Sequence, residues 1–292
     1  MKIIVIVGPT GVGKTKLSIE LAKKYNAEII NADSMQVYKE LNIGTAKIKE
    51  EEKENIQHHL FDIIDVSNNY SVYDYQKDAR KILDILTSQD KNVIIVGGTG
   101  LYIKALLYNY KFNCEINNYN YEELSNEEIF NKIKKMDSNI LLDINNRRRL
   151  VRTLNRLNNN SDDIYNDGDK LLYKNVVFIG LTTNRELLYK RINDRVDIMI
   201  SNGLIDEVRK FYDEKIYSKS IMTGIGYKEL YQYFDGTINK EQAIELIKKN
   251  SRKYAKRQYT WFNNKMNITW FDVDFNNFNN TIESIVEYIK GV

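Results

Sequence analysis

Cysteine, proline and histidine are nearly missing from this 292-residue chain, which has one cysteine (Cys114), one proline (Pro9) and two adjacent histidines, His58 and His59. A single cysteine excludes an internal disulfide and any cysteine-cluster metal site, and Cys114 reads as inert because no histidine or reactive-site context lies beside it. A zinc site would need further ligands at suitable spacing around His58 and His59; none is apparent, so packing at a loop or strand start is the simpler role. The composition, 42% hydrophobic and 28% charged with 14 glycines, excludes collagenous, coiled-coil and wholly disordered chains. No uninterrupted apolar stretch is long enough to cross a bilayer. Met1-Lys2-Ile3-Ile4-Val5-Ile6-Val7 runs straight into glycine, so it reads as a buried first strand and not as a signal peptide. These exclusions leave a cytoplasmic chain that makes no use of a membrane, with material for one large domain or two modest ones.

A net charge of +3, from 43 basic and 40 acidic residues, says little about partners. Its distribution says more. No acidic residue occurs between Glu245 and Asp272, where Lys248, Lys249, Arg252, Lys253, Lys256, Arg257 and Lys265 all fall. Their i, i+4 rows make one dense basic helical face without counter-charges, which a polyanion such as RNA would relieve. Arg147-Arg148-Arg149 with Arg152 and Arg156 form a second knot, in which Arg149, Arg152 and Arg156 share a helical face.

Short apolar runs alternate with stretches of helical period, the pattern of an α/β fold with a largely parallel sheet flanked by helices. Strands are predicted over Lys2–Val7, Glu28–Asn31, Phe61–Ile64, Asn92–Val96 and Asn175–Leu181. Helices are predicted over Lys14–Tyr25, Tyr73–Thr87 and Leu101–Leu107, and beyond the last strand the chain reads as helical throughout: Arg185–Ser201, Leu204–Phe211, Tyr227–Tyr233 and Lys240–Phe262. Between Tyr110 and Lys174 the pattern breaks into short helical segments without a strand. Residues 111–174 are therefore read as a small helical insertion in a core made of 1–110 and 175–292, with loop at Asn158–Asn160 and Asp162–Asp169.

Gly8-Pro9-Thr10-Gly11-Val12-Gly13-Lys14-Thr15 matches G-x-x-x-x-G-K-[ST] between a strand and an amphipathic helix. That is the context the P-loop motif requires: backbone N–H groups wrap a phosphate at a helix N-terminus, the lysine neutralises phosphate charge and the threonine hydroxyl reaches Mg²⁺. The later strand Val93–Val96 ends in Gly97-Gly98-Thr99-Gly100 with no carboxylate, which argues against a mechanochemical ATPase and leaves small-substrate P-loop transferases. Asp33, in Asn31-Ala32-Asp33-Ser34, ends the second strand, where it is either a base facing the phosphate site or a helix N-cap. Thr99 is equally open, as a turn residue or as a ligand contact.

Taken together these segments resemble the tRNA dimethylallyltransferase (tRNA isopentenyltransferase) family of bacteria and organelles. The likeness runs through GPTGVGKT at 8–15, NADSMQVY at 31–38, IGTAK at 43–47, HHLFDI at 58–63, GGTGLY at 97–102, RLVRTL at 149–154, GLIDEV at 203–208, IGYKE at 225–229 and YAKRQYTWF at 254–262. It implies transfer of a dimethylallyl group from dimethylallyl diphosphate to N6 of the adenosine beside the anticodon (position 37) in tRNAs that read codons starting with U. It also implies that Asp33 takes the N6 proton, Thr99 assists at the same centre, Arg195 clamps the diphosphate, Thr10 lines the donor loop and Thr15 binds Mg²⁺. Ser34, Met35 and Gln36, with Asp33 and Thr99, and Arg148, Arg149, Leu150, Val151 and Arg152 resemble the family's tRNA contacts; Lys253 and Arg257 join them from the basic face. Asn146 stands where that family usually has Asp. The partners implied are tRNA and the prenyl donor, with a monomer as the working unit. Prenylation of free adenine nucleotide, a small-molecule kinase and an RNA-binding module whose P-loop only senses nucleotide are the competing readings.

Overall fold

The computed structural model describes residues 1–112, 120–159 and 170–292. Cys114 and most of the loop expected over Asn158–Asp169 lie outside them. The chain divides into two compact units, Met1–Leu107 with Leu172–Val292, and Tyr108–Leu171. No helix among the described residues is long and apolar enough to cross a membrane.

The first unit is built on a six-stranded sheet in the order β3-β2-β4-β1-β5-β6, every pair parallel. Its strands are β1 (Ile3–Val7), β2 (Ala27–Asn31), β3 (His58–His59), β4 (Asn92–Val96), β5 (Val176–Thr182) and β6 (Thr269–Asp272). β1 is buried at all five positions. A run of Ile and Val without alternation fits only a strand covered on both faces, which is why it takes a central place. Helix α1 (Lys14–Tyr25) buries Leu17, Ile19, Leu21 and Ala22 against the sheet. The next helices are α2 (Val72–Ser88) and α3 (Gly100–Leu107). Two sequence expectations need correcting. Phe61–Ile64 is not a strand: Leu60 and Asp62 adopt φ of 64° and 54°, which breaks the extended path, and pairing occurs one step earlier, between His58–His59 and Ile29–Ile30. The chain after β5 is not wholly helical either, because Thr269–Asp272 adds a strand beside Ile179–Thr182. This edge strand is short and half-exposed, so it carries no apolar run; Trp270 instead packs over Gly180, where a Cβ would overlap its ring.

A second core lies among α6 (Arg185–Ser201), α7 (Leu204–Asp213), α8 (Lys219–Thr223), α9 (Tyr227–Phe234) and the first half of α10 (Lys240–Lys265), around Phe211, Tyr227, Leu230 and Ile247. Helix α11 (Phe278–Gly291) returns to the sheet. Within this layer Glu207 of α7 gathers four donors. Its Oε2 accepts from the backbone N–H groups of Asn42 (3.1 Å) and Ile43 (2.7 Å), and its Oε1 from Gly44 N–H (3.0 Å) and the Tyr227 hydroxyl (2.7 Å). The carboxylate thereby holds the 42–44 loop in place.

The second unit contains α4 (Asn126–Met136) and α5 (Arg147–Asn158) around Ile129, Ile133, Leu150, Leu154 and Leu157. Asn146 caps α5 by accepting from Arg149 N–H (3.1 Å), so amide performs there the capping that a carboxylate also performs. Arg147 is used internally, donating to the carbonyls of Leu124 and Tyr121 at 2.7 Å each.

Replacing Glu207 with Gln would set an NH₂ group against N–H and O–H donors. The variant is expected to lose about 1–3 kcal/mol of stability in urea unfolding, with faster amide exchange confined first to Asn42, Ile43 and Gly44. Unchanged exchange at those three amides would show that the carboxylate does not restrain the loop.

Candidate active site

In a parallel sheet every strand points the same way, so the loops after β1, β2 and β4 meet at one edge. The loop after β1 enters α1 through Gly13, whose φ of 104° only glycine adopts without strain. Lys14 folds back beneath this loop and donates from Nζ to the carbonyls of Gly8 (3.0 Å) and Pro9 (2.8 Å). Burial, reinforced by the nearby Arg195 and partly offset by Asp33, lowers its pKa from 10.5 to about 8. Thr15 stands exposed at the rim, whereas Val12 is part of the sheet core. Helix α6 contributes two more cations. Arg195 Nη1 donates to Thr10 Oγ1 (3.2 Å), Arg191 Nε donates to Gly11 O (3.1 Å), and burial and Arg191 pull the Arg195 pKa down while Asp33 supports its charge. Three cations around one loop of backbone N–H groups make a site for a multiply charged anion.

Asp33 is fixed by its neighbours. The buried Asn31 side chain accepts from Asp33 N–H (2.9 Å) and donates to Asp33 O (3.2 Å) and Leu60 O (2.9 Å). Asp33 Oδ1 accepts from Met35 N–H at 2.9 Å, so the carboxylate both caps its own turn and lines the cavity. No helix begins directly after Asp33, so it is not a helix N-cap; its cap is that of a turn. Thr99 joins the β4 loop to the β2 loop: its Oγ1 accepts from Ser34 N–H (3.1 Å) and donates to Ser34 Oγ (3.3 Å), and its own N–H donates to Ala32 O (3.1 Å).

Thr10, Lys14, Thr15, Asp33, Gln36, Arg191 and Arg195 line a cavity of about 550 Å³; Thr99 is not among its lining residues and acts on it through Ser34 and the β2 loop. A second cavity of about 290 Å³ shares Thr10, Asp33, Thr45, Arg195 and Tyr254 with the first. Ser34, Met35 and Arg257 border this second space, with Met199, Leu204 and Ile225 among its apolar walls and Thr223, Lys228 and Ser251 among its polar ones. Gln36 Nε2 donates to Thr45 O (3.0 Å), keeping the loop clasped by Glu207 at the wall of both cavities.

Sequence reasoning missed several residues of this site. Tyr254 of α10 is largely buried; burial, then the nearby Asp33 carboxylate, push its phenol well above the usual range, opposed by hydrogen bonds to Thr99 and Gln258. Gln258, one turn further, accepts at Oε1 from Thr10 N–H (2.9 Å) and donates from Nε2 to Gly98 O (3.1 Å). The traceable signal was the i, i+4 spacing of Tyr254 and Gln258 within 254–262, and of Arg191 and Arg195 on α6.

The basic rows of α10 are less isolated than the sequence suggests. Lys248 pairs with Asp197 (2.7 Å) and Glu245 (3.6 Å), and Arg252 donates to Asn193 Oδ1 (2.5 Å), so part of the face is spent on α6. Lys249, Lys253, Lys256 and Arg257 are exposed. In the second unit Arg148, Arg149 and Arg152 are exposed too, but Leu150 is 0% exposed and Val151 packs against the same core. Of the five α5 residues expected to contact tRNA, the arginines are thus exposed and the Leu150 side chain is not: α5 turns its leucines inward because they are the unit's core.

Residues 36–265 match the family model described as IPP transferase. A tRNA dimethylallyltransferase from Anoxybacillus flavithermus is 46% identical over 300 residues, covering 99% of this chain and 96% of that protein. The crystal structure of the full-length tRNA isopentenylpyrophosphate transferase from Bacillus halodurans superposes with a TM-score of 0.78 at 42% identity, over 99% of this chain and 96% of that one. A eukaryotic dimethylallyltransferase, crystallised acting on tRNA, gives 0.85 at 29% identity over 98% and 78%. Sequence and fold agree over nearly the whole length, and the chain belongs to the IPP transferase family.

Proposed function

We propose that this chain is a tRNA prenyltransferase, which moves a dimethylallyl group from dimethylallyl diphosphate to N6 of the adenosine beside the anticodon (position 37), releasing N6-(dimethylallyl)adenosine in tRNA and diphosphate. The observation that carries the reading is that the carboxylate of Asp33 and the cationic glycine loop face one cavity, a base opposite a site for a leaving anion. An aromatic amine conjugated to a purine is a weak nucleophile, so both ends of the transfer need help. On the donor side the loop N–H groups, Lys14 and Arg195 take up negative charge as the allylic C–O bond breaks and the C–N bond forms. On the acceptor side Asp33 removes the N6 proton, and Thr99 keeps Ser34 and the β2 loop aligned with it. The target base leaves its stack to enter, at a cost of a few kcal/mol that is least in a single-stranded loop.

Mg²⁺ fits the residues present only as a guest of the donor. Among the described residues no three His, Cys, Asp or Glu side chains converge, so Thr15 would share the ion with diphosphate oxygens and waters, the mode Mg²⁺ favours. Bound there, it would supply further charge stabilisation for the departing diphosphate. Lys253 and Arg257 on α10, and Arg148, Arg149 and Arg152 on α5, are the exposed cations that would meet tRNA phosphates. Lys14, Asp33, Thr99 and Arg195 all come from one chain, so the reading requires no second subunit, and a tRNA substrate puts the activity in the cytoplasm.

Incubated with isotope-labelled dimethylallyl diphosphate and Mg²⁺, the protein is expected to label tRNA and leave AMP unlabelled; label in AMP alone would replace this reading with nucleotide prenylation. In the same assay Asp33→Ala should bind tRNA normally and lose most turnover, about 10²-fold or more, whereas full turnover would remove Asp33 as the base.

The lowered Lys14 pKa predicts how donor binding varies with pH. The diphosphate prefers the protonated ammonium, so affinity is full below about 8, the pKa of the free site, and declines as pH rises through it. Donor titrations from pH 7 to 9.5 should show this fall; a flat profile would mean that Lys14 stays charged throughout.

Charge reversal of Lys253 and Arg257 to Glu should weaken tRNA binding and reduce the salt slope by roughly 0.7–0.9 per lost phosphate contact. An unaltered slope would make that face a bystander.

A further inference from the structure

We propose that Gln258 is a positioning residue that sets the donor loop against the acceptor loop, so that its amide controls the chemical step more than it controls binding. The proposal rests on the transferase reading above and assigns a role to a side chain that touches neither reacting atom. The side chain is 5% exposed, and both ends of its amide are used. Oε1 accepts from the N–H of Thr10 in the glycine loop after β1, and Nε2 donates to the carbonyl of Gly98 in the loop after β4. Gly98 has to be glycine for this to happen, because a Cβ there would overlap the amide.

What each loop carries gives the bridge its meaning. Thr10 is held on its side chain by Arg195, the cation assigned to the diphosphate. Gly98 precedes Thr99, which is hydrogen-bonded to Ser34 beside Asp33. A single amide thus lies between the half of the site that grips the leaving group and the half that deprotonates the nucleophile. The distance between these halves decides how closely the allylic carbon meets N6, and a misplacement on the order of 1 Å costs about 10²-fold in rate. Helix α10 carries the amide in register with its neighbours. Tyr254, at i−4, lines both cavities, and Trp261, at i+3, packs over Gly100 at the start of α3. Lys249, Lys253 and Lys256 of the same helix are exposed, while Arg257 borders the second cavity beside Tyr254, so the element facing solvent with positive charge is also the one that registers the two loops.

Gln258→Met preserves length and volume but leaves Thr10 N–H and Gly98 O without partners. Gln258→Glu keeps the acceptor for Thr10 and sets a carboxylate oxygen against the Gly98 carbonyl. Both are expected to lower kcat for prenyl transfer by about 10–100-fold, with donor KM and tRNA Kd each staying within roughly threefold of wild type, and to remain folded with a thermal unfolding midpoint lowered by roughly 5–15 °C through the lost hydrogen bonds. An unchanged kcat, or a raised donor KM at preserved kcat, overturns the proposal, because the amide would then only shape the donor loop. Unfolding of both variants also overturns it, since the amide would be holding the fold and not the site. Absence of transfer by the wild-type chain would instead bring down the transferase reading, and this inference with it.

Discussion

Three cations are pressed around one glycine loop, and their mutual repulsion together with the loss of water is the constraint to which the rest of the site answers. Lys14 shows it most directly, with its pKa lowered to about 8 by burial first and by Arg195 second. Such a group is poised for an anion: bound diphosphate would restore to the ammonium what desolvation removed. Until then the lysine leans on the carbonyls of Gly8 and Pro9, and Asp33 is the negative charge that tempers both Lys14 and Arg195. The carboxylate proposed as base is therefore also an electrostatic partner of the donor site, and changes at one side will be felt at the other.

Holding charges in this arrangement requires loops that do not drift. Each loop is tied by a polar side chain: Gln258 for the loops after β1 and β4, Asn31 at the end of β2 and Thr99 for the loop after β2, and Glu207 for the 42–44 segment. All of these ties are charged or polar groups accepting from, or donating to, backbone atoms. Such bonds specify position as well as adding stability, because an amide or carboxylate engaged at several points tolerates little displacement. Helices α6 and α10 supply much of this framework, and they are joined to one another by Lys248 with Asp197 and Arg252 with Asn193.

The central strands and the glycine loops were legible because each is a local pattern: a run of Ile and Val, then a glycine signature, then an amphipathic helix. Helix α1 begins at Lys14 and ends at Tyr25, as its periodicity indicates. Strand β6 was not legible, since Thr269–Asp272 has no apolar run and owes its pairing to β5 and its packing to Gly180. Phe61–Ile64 failed in the opposite direction: the composition suits a strand, but left-handed residues at 60 and 62 bend the chain away. Counting charges along α10 overstated its basic face because the partners of Lys248 and Arg252 lie on α6, more than fifty residues away in the chain.

Residue order by itself established a parallel α/β core, a glycine loop with the P-loop signature at its first turn, a carboxylate at the end of the second strand and an inserted helical segment, because each of these follows from neighbouring residues. Tertiary packing alone decided that Gln258 joins two glycine loops, that Glu207 clasps a third, that Leu150 faces inward and that Arg147 serves carbonyls of its own unit. The reason is that a hydrogen bond or a buried contact between distant segments depends on where the backbone brings them, and no local spacing records that distance.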